Sequence, residues 1–241
     1  MPGDANIAAL ASLLADPTRV NILMSLSDGR ALPAGELARN ARVASSTASA
    51  HLARLEEFGL ITVVKQGRHR YFRLTDPSIT RVLEMLATYS PAAPIHSLRE
   101  SEAARAIRRA RMCYNHLAGA LGVALSQSLV HKGILIENDD GYSITPAGQA
   151  WIGDFGLDLG QRHRHPVSFI PHHIDWSERR HHIAGNFGAA FARHFFAKDW
   201  IRRSPNSRAV NITEQGQEVL LSEFGLRWEK SAQGILITAS A

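Results

Sequence analysis

Cysteine is almost absent from this sequence. Its 241 residues contain one, Cys113, so no intrachain disulfide can form and a secreted disulfide-stabilised fold is excluded. Lysine is also scarce, because four of the 27 basic residues are lysine and the rest are arginine, which suits phosphates and base edges. No apolar run reaches the roughly 18 residues of a membrane helix, and the N-terminus lacks the basic flank of a signal peptide. We therefore expect a soluble cytoplasmic protein with no membrane partner.

What is present is an ordinary globular composition, 45% hydrophobic and 20% charged. The chain exceeds the usual single-domain length of roughly 150 residues, so we expect two domains. Its positive charge is concentrated between residues 30 and 73, which contain eight basic and three acidic residues. The net charge of this segment, +5, equals that of the whole chain. A polyanion is the expected partner of this segment.

The first ninety residues have the pattern of several helices followed by a β-hairpin. Asp16 and Pro17 are typical of a helix start, and a short helix is predicted from about residue 33 to 40. Another helix begins at Ser45, and its apolar residues are predicted to share one buried face: Ala48, Leu52, Leu55 and Phe58. Two β-rich runs then flank the turn residues Gln66 and Gly67. This order of elements predicts a winged helix-turn-helix.

The other side of the predicted third helix carries small hydroxyl side chains. Such a surface can enter the major groove of DNA and bind phosphates and base edges, while a basic hairpin tip would straddle an adjacent backbone or minor groove. The candidate DNA-binding residues are Ser45, Ser46, Thr47, Ser49, His51, Arg54, Lys65, Arg68, His69 and Arg70. Taken singly, the serines could merely cap a helix and the charges merely be solvated, but their combined order favours DNA binding.

The segments LADPTRVNILMSL and GELARNARVASSTASAHLARLEEFGLITVVKQGRHRYFRL resemble the ArsR/SmtB repressors over about residues 5–90. Those proteins are dimeric winged-helix repressors that release operator DNA when an inducer binds. The resemblance implies that the serines and His51 face the operator and that the hairpin around residues 68–70 is the wing. It also implies pairing of subunits through residues 5–14 and 77–89. Ala50 departs from the family pattern, since a longer polar side chain is frequent there.

The metal sites common in that family are missing from the sequence. Thiophilic-metal sensors carry paired cysteines in the helix before the recognition helix, but residues 35–40 contain no cysteine. Zinc sensors use carboxylates and histidines on the helix after the wing, yet residues 81–88 contain no histidine. Any effector is therefore expected to bind elsewhere.

The remaining residues predict a linker at 91–97 and a C-terminal domain at 98–241, following a DNA-binding and dimerisation domain at 1–90. A long helix is predicted from about Leu98 to Leu121. The C-terminal domain contains an internal repeat, about 111–157 and 177–226, in which HLAGALGVA from His116 matches HIAGNFGAA from His182. Each copy predicts a helix, a hairpin and a helix capped by Thr145 or Thr213.

We therefore expect a mainly α-helical, α+β protein. Its N-terminal winged helix-turn-helix is followed by a duplicated, degenerate winged-helix-like domain used for packing or for an effector. The basic loop at residues 162–166 is expected to be solvated.

The repeat also predicts an effector site. If the two copies pair about a pseudo-two-fold axis, the segments preceding the matched histidines meet. Such a set could bind a divalent transition metal, zinc, copper or nickel, or a small organic effector. The candidate residues are Cys113, Tyr114, His116, His173, Asp175, Trp176, Glu178, Arg179 and His182. A lone cysteine is more often an inert buried residue, and the histidines could equally cap their helices.

Three functions remain open from the sequence. The first is a homodimeric, effector-responsive transcriptional repressor that binds double-stranded operator DNA. The second is a dimeric DNA-binding regulator without an inducer. The third is a thiol-dependent enzyme with Cys113 as nucleophile. Because no recognised catalytic signature surrounds this cysteine, we predict that the protein is not an enzyme.

Overall fold

The computed structural model describes residues 4–160, 169–231 and 234–239. The loop at residues 162–166, which the sequence predicts to be solvated, lies outside these residues. Packing divides the chain into two compact units, Met1–Leu83 and Glu84–Ala241. The boundary falls inside a helix, a few residues before the predicted linker.

The first unit contains the predicted helices and hairpin. In chain order its elements are α1 (Ile7–Leu14), α2 (Pro17–Leu26), β1 (Leu32–Pro33), α3 (Ala34–Ala41), α4 (Ser45–Glu57), β2 (Ile61–Gln66), β3 (His69–Leu74) and α5 (Ser78–Tyr89), which ends in the second unit. Among the described helices, none alone is long and apolar enough to span a bilayer; α1 and α2 reach that threshold only as a pair bent by 91°.

Local signals explain where these helices begin and end. Asp16 caps α2, since its carboxylate accepts a hydrogen bond from the Arg19 amide, and Pro17 takes the first turn, as predicted. Arg42 adopts a left-handed conformation that ends α3 before the connection to α4. The apolar side of α4 is buried at Ala48, Leu52 and Leu55.

The predicted burial of Phe58 is wrong. The helix ends at Glu57, so Phe58 is its C-terminal cap, and its side chain is 38% exposed. The guanidinium of Arg54 lies 5.7 Å from the ring centroid, which covers part of this aromatic face.

The wing is a three-stranded antiparallel sheet in the order β1-β3-β2. Strands β2 and β3 pair from Ile61 with Leu74 to Gln66 with His69, so the hairpin is confirmed but its turn falls at residues 67 and 68, one residue later than predicted, because Gln66 still pairs in β2. Strand β1 is an addition that the sequence analysis did not predict, because it has two residues and its pairing of Leu32 with Phe72 is long-range.

The second unit begins with the end of α5 and continues through two similar series of elements. These are α6 (Leu98–Arg109), β4 (Arg111–Cys113), β5 (His116–Ala118), α7 (Gly119–His131), β6 (Leu135–Asn138), β7 (Gly141–Ile144), α8 (Pro146–Asp154), β8 (Ile170–Ile174), β9 (His181–Ile183), α9 (Gly185–Ala197), β10 (Ile201–Arg203), β11 (Val210–Ile212), α10 (Glu214–Phe224), β12 (Leu226–Ser231) and β13 (Gly234–Ala239).

The predicted long helix from Leu98 to Leu121 is wrong. Helix α6 stops at Arg109 because Ala110 is extended, and the chain then forms the short hairpin β4-β5 before α7. The turn of this hairpin places Tyr114 at a φ of 58°, and α7 begins at Gly119 with a φ of 75°. A Cβ atom at Gly119 would lie 2.6 Å from the Arg108 carbonyl oxygen, so this close approach requires glycine.

Two series of elements follow the same order in the second unit. Each has a short hairpin, a helix, a second hairpin and a capped helix: β4 to α8, then β8 to α10. The predicted caps are confirmed, since the hydroxyls of Thr145 and Thr213 accept hydrogen bonds from the amides of Gly148 and Gly216. Strands β7 and β8 pair, which joins the two series in one four-stranded sheet of order β6-β7-β8-β9.

The helices that lie between the two hairpins of each series are buried. Helix α7 contributes Leu121, Leu125 and Leu129 to the core, and α9 contributes Phe187 and Phe195. In the first unit, α4 holds the equivalent position before its hairpin but leaves its polar side exposed. In the second unit, the helices at this position therefore pack in the core and expose no polar side like that of α4.

Candidate functional site

The candidate DNA-binding surface consists of one side of α4 and the tip of the β2-β3 hairpin. Burial of the apolar side of α4 turns its hydroxyl side chains to the surface. The exposed residues of this surface are Ser45, Ser46, Thr47, Ser49, Arg54, Lys65, Arg68, His69 and Arg70, and His51 is half-buried. The structure thus places all ten predicted residues on these two elements of the first unit.

Some of these side chains have partners within the protein. Arg54 forms an ion pair of 2.7 Å with Glu57, and Arg70 lies 3.9 Å from Glu56. The Ser49 hydroxyl donates to the Ser45 carbonyl oxygen at 2.9 Å. Exposed ion pairs of this kind contribute little to stability and exchange readily for a phosphate.

A second candidate site lies in the second unit. Four potential metal ligands come together there: one donor atom each from Cys113, His116, His173 and His182 lies within 4.8 Å of every other. Cys113, His116 and His182 are buried, while His173 is half-buried. The site is therefore a mostly buried cluster, hereafter the Cys-His cluster.

The two short hairpins position the four side chains. Cys113 pairs with His116 across β4-β5, and His173 pairs with His182 across β8-β9. The two hairpins occupy the same place in the two series of elements, so each contributes one cross-strand pair. Side chains directly opposite one another on antiparallel strands project to the same face, and this brings four distant residues to one point.

The helix of each series packs on the short hairpin of the other series, and this holds the two hairpins together. Helix α7 packs on β9, and α9 packs on β5. A Cβ at Gly122 would lie 3.6 Å from the Cβ of His182, and one at Gly188 would lie 3.0 Å from the Cβ of His116. Glycine at position 188 thus allows the histidine of the other series to approach closely, whereas the His182 contact at Gly122 is of ordinary length.

Burial sets the protonation of the cluster. It lowers the pKa of His182 to about 3 and, together with the neighbouring His182 and His173 rings, holds the pKa of His116 well below its usual range. It also raises the pKa of the Cys113 thiol to about 12. At neutral pH the two histidines are therefore uncharged, which is the form that binds metals.

A buried charge network adjoins the cluster. Asp175 lies 3.6 Å from His182 Nδ1, and its carboxylate accepts hydrogen bonds from Arg111 at 3.0 Å and from the Gly119 amide at 2.6 Å. Arg111 also donates to Glu84 of α5 at 2.8 Å. Glu84 in turn pairs with Arg208. Burial would raise the pKa of Asp175, but Arg111 and His182 outweigh it and hold this pKa at about 2.

The other predicted effector residues lie around this network and not in the cluster. Within the described residues, neither Asp175 nor Glu178 belongs to the group of clustered ligand atoms. Trp176 covers Arg111, whose guanidinium lies 4.9 Å from the ring centroid. Tyr114 and Arg179 are turn residues with positive φ values. The prediction that these five residues bind a ligand stays a prediction.

The sequence analysis missed the roles of Glu84 and Arg208. Glu84 shares a buried stripe on α5 with Thr80 and Thr88, at spacings of four residues. A stripe of polar residues at helical spacing indicates a solvated face when it is seen in sequence alone. No local signal shows that two arginines more than twenty residues away satisfy this carboxylate.

Comparisons with known proteins relate the chain to bacterial regulators. A family model described as "Bacterial regulatory protein, arsR family" matches residues 16–63. The HTH-type transcriptional regulator YdfF of Bacillus subtilis is 44% identical over 212 residues, covering 88% of this chain and 94% of the relative. The HTH-type transcriptional regulator CmtR of Mycobacterium tuberculosis is 38% identical over 80 residues, covering 33% of this chain and 67% of the relative.

Solved structures match the N-terminal part of the chain. HlyU from Vibrio cholerae is 28% identical with a TM-score of 0.33, covering 37% of this chain and 97% of that protein. The homodimeric winged helix-turn-helix DNA-binding domain of Mb0332 from Mycobacterium bovis is 23% identical with a TM-score of 0.32, covering 40% of this chain and 99% of that domain.

Proposed function

Because the chain belongs to the ArsR family of bacterial regulatory proteins and is a DNA-binding transcriptional regulator, we propose that it is a homodimeric repressor whose second unit responds to an effector. The first unit binds operator DNA and the second contains the effector site. A protein with this activity acts where the chromosome is, so the cytoplasm is its proposed location.

The observation that carries this proposal is the surface formed by α4 and the wing. The exposed serines of α4 are small enough for the helix to enter the major groove, where Ser49 and His51 read base edges. Arg68 and Arg70 of the wing bind phosphates, which positions the helix without reading sequence. The excess of positive charge between residues 30 and 73 supports this assignment.

A second copy of the chain is the proposed partner of α5. This helix leaves four apolar side chains exposed at spacings of three and four residues, which places them on one side: Val82, Met85, Leu86 and Tyr89. Helix α1 exposes Ile7 as well. Exposed apolar stripes of this kind mark interaction surfaces, and the two helices are those through which the family resemblance implies pairing. The dimer would then bind half-sites about one helical turn apart.

We propose no catalytic role for Cys113. The thiolate is the nucleophilic form of cysteine, and burial raises the pKa of this thiol to about 12. A protonated, buried thiol lacks the solvent access of catalytic cysteines. A binding role for this residue needs no substrate access.

Electrophoretic mobility shifts with DNA from the protein's own promoter test the proposal. The wild-type protein should retard this DNA at moderate salt in the presence of excess non-specific competitor. Arg68→Ala should weaken binding to all DNA sequences alike and reduce the slope of log affinity against log salt by about one. Ser49→Ala should change the preferred sequence instead.

The matched control is Arg202→Ala, which removes an exposed arginine from the β10-β11 hairpin of the second unit. This variant should bind DNA like the wild type. Equal losses in the Arg68 and Arg202 variants would show that net charge, and not the wing, determines affinity. The absence of any sequence-specific retardation by the wild type would contradict the proposal itself.

A further inference from the structure

We propose that Cys113 Sγ and one imidazole nitrogen each from His116, His173 and His182 bind a single zinc ion, and that this ion is the effector of the regulator. The binding of zinc is inferred from the geometry of the four side chains alone, whereas its role as effector rests on the proposed function. The site lies in the second unit and uses no residue of 35–40 or 81–88, where the sequence has no cysteine or histidine.

The donor set fits zinc. Protein zinc sites are four-coordinate and tetrahedral, with thiolate and imidazole ligands, and structural sites provide all four ligands from the protein. The Cys-His cluster offers four nitrogen and sulfur donor atoms, each within 4.8 Å of the others. The Cys113 thiol releases its proton to solvent when its sulfur binds the ion. Burial excludes water as a competing ligand, and the two β-hairpins provide rigid supports for the four side chains.

The distance between two of the rings matches a shared metal ion. Nε2 of His116 and Nε2 of His182 are 3.2 Å apart. Two imidazole nitrogens bound to one tetrahedral zinc at 2.0–2.1 Å are separated by about 3.3 Å. These two ligands are therefore already at coordination distance. Bringing a pair at the 4.8 Å limit of the cluster to a similar separation requires an approach of about 1.5 Å, shared between the two side chains.

The polar neighbours of the Nδ1 atoms of these rings favour the same conclusion. Nδ1 of His116 lies 3.3 Å from Oδ1 of Asn115, and Nδ1 of His182 lies 3.6 Å from the Asp175 carboxylate. Both neighbours are acceptors, so they favour the tautomer with the proton on Nδ1. The two Nε2 lone pairs then face each other at 3.2 Å. A cation between the two nitrogens, or a proton on one of them, removes the repulsion of this arrangement.

Asp175 is the positioning residue of this site. A carboxylate next to the remote nitrogen of a ligating histidine fixes the tautomer and increases the basicity of the ligand. Asp175 is itself held by Arg111, by the Gly119 amide and by the Ser177 hydroxyl, which donates at 2.7 Å. Its orientation is therefore determined before any ion binds.

The same carboxylate connects the cluster to α5. Arg111 bridges Asp175 and Glu84, with distances of 3.0 Å and 2.8 Å. Glu84 lies in the helix that exposes the proposed dimer surface at Met85 and Leu86. An ion that pulls His182 toward the cluster changes the His182–Asp175 contact, and this change reaches α5 through two further buried ion pairs. This gives the effector a physical route to the dimer surface.

Cobalt titration of the full-length, chelator-treated protein tests the site. We expect one Co²⁺ per chain, a thiolate-to-cobalt charge-transfer band and the visible spectrum of tetrahedral cobalt, all removed by one equivalent of zinc. Cys113→Ser should abolish the charge-transfer band. His173→Asn, at the half-buried ligand, should lower the affinity for cobalt at least tenfold.

The matched control is His181→Asn. His181 is the neighbour of a ligand on β9, but its ring stacks on His172 with centroids 3.7 Å apart, on the other face of the hairpin. This variant should bind cobalt like the wild type. Asp175→Asn should lower affinity 10- to 100-fold while leaving the charge-transfer band in place, a result that a merely structural role would not give.

Two results would overturn the metal site: a wild-type protein without the charge-transfer band, or equal cobalt affinities for the His173 and His181 variants. Circular dichroism of the metal-free variants verifies that each is folded.

Mobility shifts then separate the two halves of the proposal. Zinc should change the operator affinity of the wild type at least about fivefold and leave that of His173→Asn unchanged. Stoichiometric zinc binding without any change in operator affinity would overturn the effector role. Failure of both the metal-free and the zinc-bound protein to bind any DNA would instead contradict the proposed function, and the cobalt result would stand.

Discussion

Replacing Glu84 with glutamine measures how much the buried charge network between α5 and the Cys-His cluster contributes to stability. Glu84 is 3% exposed and accepts hydrogen bonds from Arg111 at 2.8 Å and from Arg208. Glutamine keeps the size of the side chain and removes its charge. The positive charges of the two arginines are then only partly compensated, in a site without access to water.

The magnitude follows from the pKa of this carboxyl group. Burial would raise the pKa of Glu84, but Arg208 and Arg111 outweigh it and lower the pKa from 4.5 to about 2. At about 1.4 kcal/mol per pKa unit, this difference corresponds to about 3 kcal/mol of folding free energy. Measured losses on breaking buried ion pairs, about 3–5 kcal/mol, are of the same size. We expect Glu84→Gln to lose about 3 kcal/mol at pH 7.

The pH dependence has a definite sign. Because the pKa is lower in the folded state, the contribution of Glu84 is fully present above pH 4.5 and is lost as the pH falls toward about 2. The wild type loses it in this range, whereas the glutamine variant has no carboxyl group to titrate there. The difference between the two proteins should shrink to roughly 1 kcal/mol at pH 3.

Urea denaturation followed by tryptophan fluorescence measures this difference. All four tryptophans lie after residue 150 and so report on the second unit. Chelator removes any contribution from bound metal. Glu223→Gln, at an exposed position of α10, is the control and should change stability by less than about 0.5 kcal/mol. A loss below about 1 kcal/mol at pH 7, or an equal loss at pH 7 and pH 3, would refute the reasoning.

Three further predictions concern single elements. Gly119→Ala should destabilise the second unit by about 1–3 kcal/mol, because φ is 75° and the new Cβ would meet the Arg108 carbonyl; an unchanged melting temperature would contradict this. Thr145→Ala and Thr213→Ala should each cost about 1 kcal/mol in urea denaturation, and markedly unequal losses would show that the two caps are not equivalent. Met85→Glu should convert the proposed dimer to monomer in analytical ultracentrifugation, and a dimer that persists would exclude this face of α5.

Local sequence patterns were sufficient to predict most of the elements of the first unit. Asp16 and Pro17 determine the start of α2 through hydrogen bonding and a fixed φ, both of which act within one helical turn. The spacing of Ala48, Leu52 and Leu55 determines which side of α4 is buried and hence which side is exposed. These are short-range properties, so reading them requires no knowledge of the tertiary structure.

Errors occurred where long-range contacts override local pattern. Residues 98–121 have helical composition, yet residues 111–118 form a buried hairpin that Gly119 closes against the Arg108 carbonyl. The pairing of Arg111 with Asp175 and Glu84 stabilises this hairpin from positions 64 and 27 residues away. Helix propensity is too weak a preference to resist such contacts.

The sequence by itself determined the winged helix-turn-helix, the basic surface and the internal repeat, because each depends on residue types at short or repeated spacings. It also singled out Cys113, His116, His173 and His182 as candidates. Only the tertiary structure decided that these four converge while Asp175 and Glu178 remain outside, and that Glu84 of α5 pairs with Arg111 beside them. The reason is physical: cross-strand register and the packing of two repeats determine which side chains meet, and neither is encoded in any one segment.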